Sequence, residues 1–214
     1  MTISRRLFAT GALGVSAALI AGLRQAAAAQ NLSAADQAAV DRAVDYLQGL
    51  TSARGTFSET GPNGQTMRGN FYLKRPGKMR FEYTNPEGLV VVADGNNVMR
   101  YDPRLNVFRQ APLSATPLSA FLARNINLSS GVRIDRVTRT DNGAFAIVAR
   151  SSSRPNDGSI TLAFAGSPMR LQQWIITDAQ GQQTRTQLLT LSPASGLSNS
   201  LFTLRDPTRR PGRN

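Results

Sequence analysis

The sequence contains no cysteine and no histidine. Without cysteine there is no disulfide framework, no thiol nucleophile and no cysteine to carry a lipid anchor. Without histidine there is neither a zinc triad nor a serine–histidine–aspartate relay. Carboxylates are also scarce, 13 against 25 Lys and Arg, and only 18% of the 214 residues are charged. Asp94 and Asp102 sit in turn signals, Glu87 follows a proline, and Glu82 alternates outward beside Arg80. The buried carboxyl pair that acid–base chemistry needs cannot be assembled from this spacing. Neither a nucleophile-elbow nor a phosphate-loop motif occurs. No enzyme is expected, with no catalytic residue, metal ligand or cofactor.

The first 29 residues are the one stretch with export character. Arg5 and Arg6 precede an uncharged segment from Leu7 to Leu23, and Ala26–Ala29 supply a small-residue cleavage site. Ser4-Arg5-Arg6-Leu7-Phe8 also fits a twin-arginine signal. The apolar segment falls short of a membrane span, so cleavage near Gln30 and a periplasmic product are expected. Removal takes away Arg5, Arg6 and Arg24 and no acid, lowering the net charge from +12 to +9. The remaining cations are scattered over outward strand positions and a basic tail, residues 208–214, rather than clustered with aromatics. That distribution argues against nucleic acid and leaves a solvated surface or a weak attraction to anionic membranes.

Residues 32–50 carry the one strong helical pattern. Ser33 with Asp36 makes an approximate capping box, and Val40, Ala43, Val44, Leu47 and Leu50 form an apolar face. From Ala53 the period changes to two. Runs at 53–59, 66–74, 78–83, 89–93, 98–101 and 105–110 are separated by Gly, Asn, Asp and Pro, and a second series covers 131–140, 144–150, 159–165, 169–177 and 184–191. About eleven antiparallel strands suit a barrel or strongly curved sheet. Between the series, Thr116-Pro117 reads as the start of a short helix over 118–124. Met79, Phe81 and Tyr83 share one strand face, and Met67, Phe71 and Leu73 share another. Two helical segments look too small to cover so large an apolar face. The alternatives are a tight barrel packed by its own side chains and a sheet enclosing an apolar cavity.

Together these segments resemble the LolA family of periplasmic lipoprotein carriers. The match runs from Gly69 to Tyr83 (GNFYLKRPGKMRFEY) and continues through Pro86, Val90–Gly95 and Tyr101-Asp102-Pro103. It resumes at Thr116-Pro117-Leu118 and Phe121–Asn125, and ends with Trp174, Asp178, Gly181, Leu201–Leu204 and Pro207. The resemblance implies one domain over residues 30–207, an incomplete eleven-stranded barrel with an N-terminal helix and a short helical lid over a cavity for acyl chains. It implies that Phe71, Met79, Phe81 and Tyr83 line that cavity and that Leu118, Phe121 and Leu122 form the apolar face of the lid. Arg75, in Lys-Arg-Pro, would latch the lid through hydrogen bonds to lid-side backbone carbonyls. The implied partners of a monomeric carrier are acylated lipoproteins, a LolCDE-like inner-membrane transporter that loads it, and a LolB-like outer-membrane acceptor. A carrier of another free lipid, or a sensor on the same scaffold, stay open beside that role. Two departures stand out: the twin-arginine pattern, and a basic tail where the family usually continues into a further apolar piece.

Overall fold

The computed structural model describes residues 32–116, 118–128 and 131–209. The export signal expected over residues 1–29 lies outside them, as does the end of the basic tail.

The helical period becomes α1 (Ala34–Gly49). Ser33 caps it reciprocally: its hydroxyl accepts the Asp36 N–H at 3.1 Å and donates to the Asp36 carboxylate at 2.7 Å. Ala39, Val40, Ala43 and Leu47 are buried, so the apolar face lies against the sheet. The Asp36 carboxylate pairs with Arg139 at 2.9 Å, and the Arg42 guanidinium sits 5.3 Å from the Phe145 ring.

The period-two runs become eleven strands: β1 (Ser52–Thr60), β2 (Thr66–Lys74), β3 (Lys78–Asn85), β4 (Glu87–Asp94), β5 (Asn97–Asp102), β6 (Val107–Pro112), β7 (Val132–Arg139), β8 (Phe145–Ser151), β9 (Gly158–Ala165), β10 (Arg170–Asp178) and β11 (Gln183–Pro193). They form one antiparallel sheet in the order β6-β5-β4-β3-β2-β1-β11-β10-β9-β8-β7. Each consecutive pair is a hairpin or meander step, except that β1 returns to β11 and so joins the two series at the centre. β6 and β7 are the free edges. The protein is therefore mainly β, an incomplete barrel whose wall does not close by hydrogen bonds. Register shifts at Thr56/Phe57, Glu82/Thr84 and Ile134/Arg136 add the local twist that curves the wall.

The segment between β6 and β7 crosses the concave face. A short 3₁₀ turn (Leu113–Ala115) leads to α2 (Leu118–Phe121), which is shorter than the stretch anticipated. Thr116 does not act as a side-chain cap. Its hydroxyl donates back to the Leu113 carbonyl at 2.8 Å, while its own carbonyl receives the Ser119 N–H and hydroxyl at 3.1 and 2.9 Å. Pro117 lies outside the described residues.

Both faces of the sheet carry apolar clusters. The concave one gathers α1, the crossing segment and the inward residues of most strands. The convex one, over β3 to β5, comprises Val90, Val92, Met99 and Phe202, flanked by Tyr72, Tyr101, Phe108, Leu197, Leu201 and Leu204. A terminal strap with a 3₁₀ turn at Asn199–Phe202 lies over this second cluster. Outward charges here fasten the strap instead of only meeting solvent. Lys74 Nζ donates to the Leu197 carbonyl at 2.7 Å and to Asn199 Oδ1 at 3.0 Å, and Lys78 Nζ reaches Asn199 Oδ1 at 3.1 Å. Arg80 Nη1 donates to the Leu201 carbonyl at 3.1 Å.

Candidate functional site

The concave face divides into a packed half and an open half. Met79, Phe81 and Tyr83 alternate inward from β3, and Phe71 faces Phe81 across the β2–β3 ladder. All four are buried. Room for the Phe71 ring comes from Gly55: a Cβ there would stand 2.7 Å from the ring and 2.0 Å from the Thr190 carbonyl oxygen. The rings then interlock edge to face. Phe57 meets Phe81 at 4.8 Å and Tyr83 at 5.1 Å and Phe81 meets Trp174 at 6.0 Å in this way, while Trp174 lies tilted at 37° to Phe121, 5.9 Å away. The space left among Phe71, Met79, Trp174 and their neighbours is about 10 Å³, no more than one water needs. The residues singled out from sequence as a cavity wall thus pack against one another here.

Open space lies on the other side of the lid. A cleft of about 110 Å³ runs between the crossing segment and β7 to β9. Leu47 of α1, Phe121 of α2, Ile126, Leu128, Val132, Ala149, Ile160 and Leu162 form its apolar wall. Thr116, Ser119, Ser151, Arg150, Arg154 and Asp157 add polar groups. None of these except Phe121 stood out as a site residue in the sequence. The inward alternation of Ile160 and Leu162, and the apolar Ile126 and Leu128 after the lid, were the available signals.

The lid is held at several points. Phe121 and Leu122 are buried, while Leu118 is half-buried against the concave cluster. At the β2–β3 turn, Gly77 takes a φ of +75°, and a Cβ there would lie 2.7 Å from the Gly95 Cα. Only glycine fits comfortably, and its N–H donates to the Leu122 carbonyl at 2.8 Å. Arg75 in the same turn donates through Nε and Nη2 to the Leu50 carbonyl at 3.0 and 2.9 Å. Leu50 closes α1, so this guanidinium grips the N-terminal helix, and the bond from this turn to the lid itself comes from Gly77. Nη1 of Arg75 is buried without a hydrogen-bond partner, and burial lowers the pKa of the group below its ordinary value. Gln48 spans the lid's exit, donating to the Arg124 carbonyl at 3.0 Å and accepting the Ile126 N–H at 2.8 Å. Leu113 N–H bonds the Asn96 carbonyl at 2.8 Å.

The end of the barrel away from the lid is polar. Glu59 accepts hydrogen bonds from the Tyr83 hydroxyl at 2.9 Å and the Thr186 hydroxyl at 3.2 Å. Burial raises the Glu59 pKa above its ordinary value, against the pull of those two donors and of Arg100. Burial and the nearby Glu59 push the Tyr83 phenol upward as well. Asp102 is 1% exposed, pairs with Arg100 at 3.3 Å and accepts the Arg104 N–H at 3.2 Å. It does serve a turn, as its Asp-Pro context indicated, but from a buried position. Among the described residues no cluster of acidic side chains could hold a metal ion, and no helix is long and apolar enough to cross a membrane.

The family described as "Outer membrane lipoprotein carrier protein LolA" matches residues 48–205, spanning β1 to β11 and the strap. An outer-membrane lipoprotein carrier protein from Methylobacillus flagellatus is 29% identical over 161 residues, 73% of this chain and 74% of that protein. One from Leptothrix cholodnii is 32% identical over 156 residues, 66% of this chain and 69% of that protein. The crystal structure of a LolA superfamily protein from Nitrosomonas europaea aligns at 12% identity with a TM-score of 0.40, covering 77% of this chain and 97% of that one. The assignment rests on the family match and the curated relatives rather than on that remote likeness. The matched family is one of carriers, not of enzymes, and the chain belongs to it: this is a member of the LolA family of outer-membrane lipoprotein carrier proteins.

Proposed function

We propose that the protein is a periplasmic carrier that takes up the acyl chains of lipoproteins released from the inner membrane and delivers them to the outer membrane. The observation that supports this most is the apolar cleft beside the lid, walled by Leu47, Phe121, Ile126, Leu128, Ile160 and Leu162 and bounded by the crossing segment. Each methylene moved out of water is worth ~0.8 kcal/mol, so a lipoprotein anchor with several acyl chains, whose terms add, does not cross an aqueous space unshielded. The cleft in this closed form takes only part of one chain. Loading therefore requires the lid to lift and the aromatic cluster to part, which brings Phe71, Met79, Phe81 and Tyr83 into contact with the chains. Leu118, Phe121 and Leu122 then cover the cargo. Arg75 acts as the latch: it holds α1 through Leu50, and its unpartnered Nη1 is placed to take a further carbonyl as the lid settles.

In this reading residues 1–29 direct export, an inner-membrane transporter of the LolCDE kind loads the carrier, and a LolB-like protein accepts the cargo. Native mass spectrometry of the mature protein isolated from its own periplasm, with identification of bound species, tests the proposal. Acylated lipoproteins bound one to one are the expected result. A bound free lipid instead would transfer the role to a carrier of that lipid. Protein isolated without any acylated species would reject both.

A further inference from the structure

The crossing segment leaves β6 at one free edge of the sheet, and the loop between β8 and β9 stands near the other. One side chain joins them across the cleft. Arg154, in the β8–β9 loop, donates from Nη2 to the Ser114 carbonyl at 2.5 Å. Ser114 belongs to the 3₁₀ turn just before the lid, and Arg154 lines the cleft beside Ala115 and Thr116. The loop itself is braced. Arg150 donates to Asp135 and, through Nη1, to the Pro155 carbonyl at 3.0 Å, and the Arg154 N–H bonds the Ser151 hydroxyl at 3.2 Å.

The other polar groups at this mouth are occupied locally. The Thr116 hydroxyl is bound to Leu113, the Ser119 hydroxyl to Thr116, and the Ser151 hydroxyl to Ser153 and Arg154. Among the described residues Arg154 joins the β8–β9 loop to the crossing segment, and its partner moves whenever the lid lifts. Of the rim cations, Arg154 is balanced by Asp157 at 3.5 Å, while Arg150 shares Asp135 with Arg133. A balanced guanidinium has little net pull on an anion but keeps its directional donors.

We infer that Arg154 is a specificity-determining residue for the cargo: when the lid opens, its guanidinium exchanges the Ser114 carbonyl for the carbonyl of an ester- or amide-linked acyl chain whose tail lies in the cleft. This rests on the acyl-carrier reading and goes beyond it by assigning the recognition of the chain's head. The chemistry matches the observed partner, a neutral carbonyl oxygen at the entrance to an apolar cleft. An acyl chain carries that group at its first carbon, whereas a bare alkyl chain does not. Opening for an alkyl ligand would break the Arg154–Ser114 bond without replacing it, while an acyl ligand restores an equivalent bond.

The test compares two probes that differ only in this carbonyl, monolauroylglycerol and the matched dodecyl glycerol ether. Both are titrated below their aggregation concentrations against the mature full chain. Trp174 is the only tryptophan and its ring lies 5.9 Å from that of Phe121 of the lid, so its fluorescence reports binding without a label. The wild type should bind the ester about tenfold tighter than the ether, the worth of one charge-assisted hydrogen bond. Arg154→Gln should bind both with the wild type's affinity for the ester, because neither ligand then breaks a bond to Ser114. Equal affinities in the wild type, or an ester preference that survives Arg154→Gln, would overturn the assignment. Failure of both probes to bind would overturn the cleft reading beneath it. Arg154 is half exposed in a loop, and the wild-type comparison decides the matter even without the variant.

Discussion

At the scale of single residues, the polar end of the barrel sets a measurable pH dependence. Glu59 faces inward with two hydroxyl donors, and among the described residues it has no ion-pair partner. Its carboxyl has a pKa raised by burial, so the folded protein holds its proton to higher pH than the unfolded chain does. Over that window the native state binds more protons than the unfolded state, and stability falls as pH rises. The penalty starts near the ordinary value of 4.5 and is complete once pH exceeds the raised folded value. The Tyr83 phenol, Thr186 hydroxyl and Arg100 guanidinium surround the group, and burial raises the phenol's pKa further above that range. Glu59→Gln keeps an accepting oxygen for one of the two hydroxyls and offers its amide N–H to the oxygen of the other, but removes the ionisation. Its stability relative to wild type should therefore improve as pH rises from about 4.5 to the raised folded value, and level off above it. Urea denaturation of both proteins across that range checks this. A difference that stays flat with pH would show that the carboxyl is solvated in the native state.

At the scale of elements, the terminal strap differs from what its sequence suggests. Phe202 is 1% exposed and anchors the convex cluster with Val90, Val92 and Met99. Phe202→Ala should cost about 3–5 kcal/mol, as for other large buried aromatics. Thermal unfolding would detect that cost, and a loss under about 1 kcal/mol would mean that the strap detaches readily. The hairpins were legible because Gly, Asn and Pro punctuate runs whose period is two, and each turn is local. The helix was legible because Ser33 and the spacing of Val40, Ala43 and Leu47 agree. The covered convex face was harder to see, since Lys74, Lys78 and Arg80 read as a solvated row. Its one signal is the unbroken apolar run Leu89–Ala93, which a strand buried on only one face would not need. Alternation put Phe81 and Tyr83 on one strand face and Phe71 on that of another strand, and the family resemblance joined them as a set. What alternation could not give was their mutual packing, or the open cleft beside them. Both depend on how far α1 and the lid descend onto the sheet, which long-range contacts such as Gln48 to Ile126 decide.

At the scale of the whole molecule, the question is which part yields when a chain several times larger than the present cleft must enter. The sheet's centre is stiff. β3, β2, β1, β11 and β10 form continuous ladders, with eight paired positions between β1 and β11 and nine between β1 and β2. Splitting any of these would expose a row of unpaired backbone groups on two strands at once. The free edges β6 and β7 have no ladder between them to break. The Arg154–Ser114 bond runs across that gap, the ion pair Asp36–Arg139 ties α1 to β7, and hydrogen bonds from Gly77, Leu113 and Ile126 tie down the crossing segment. Local opening follows the lowest density of buried contacts and hydrogen bonds, so the lid and the β6 and β7 edges should move while the centre stays closed. Hydrogen exchange on the protein with and without a bound acyl ligand can resolve this. The Gly77, Leu113 and Ile126 amides should exchange at least about tenfold faster in the loaded form, and the β1–β2 and β1–β11 amides should be unchanged. Loss of protection along β1 and β11 would instead mean that the barrel parts at its central seam, with the lid carried along as a passive flap.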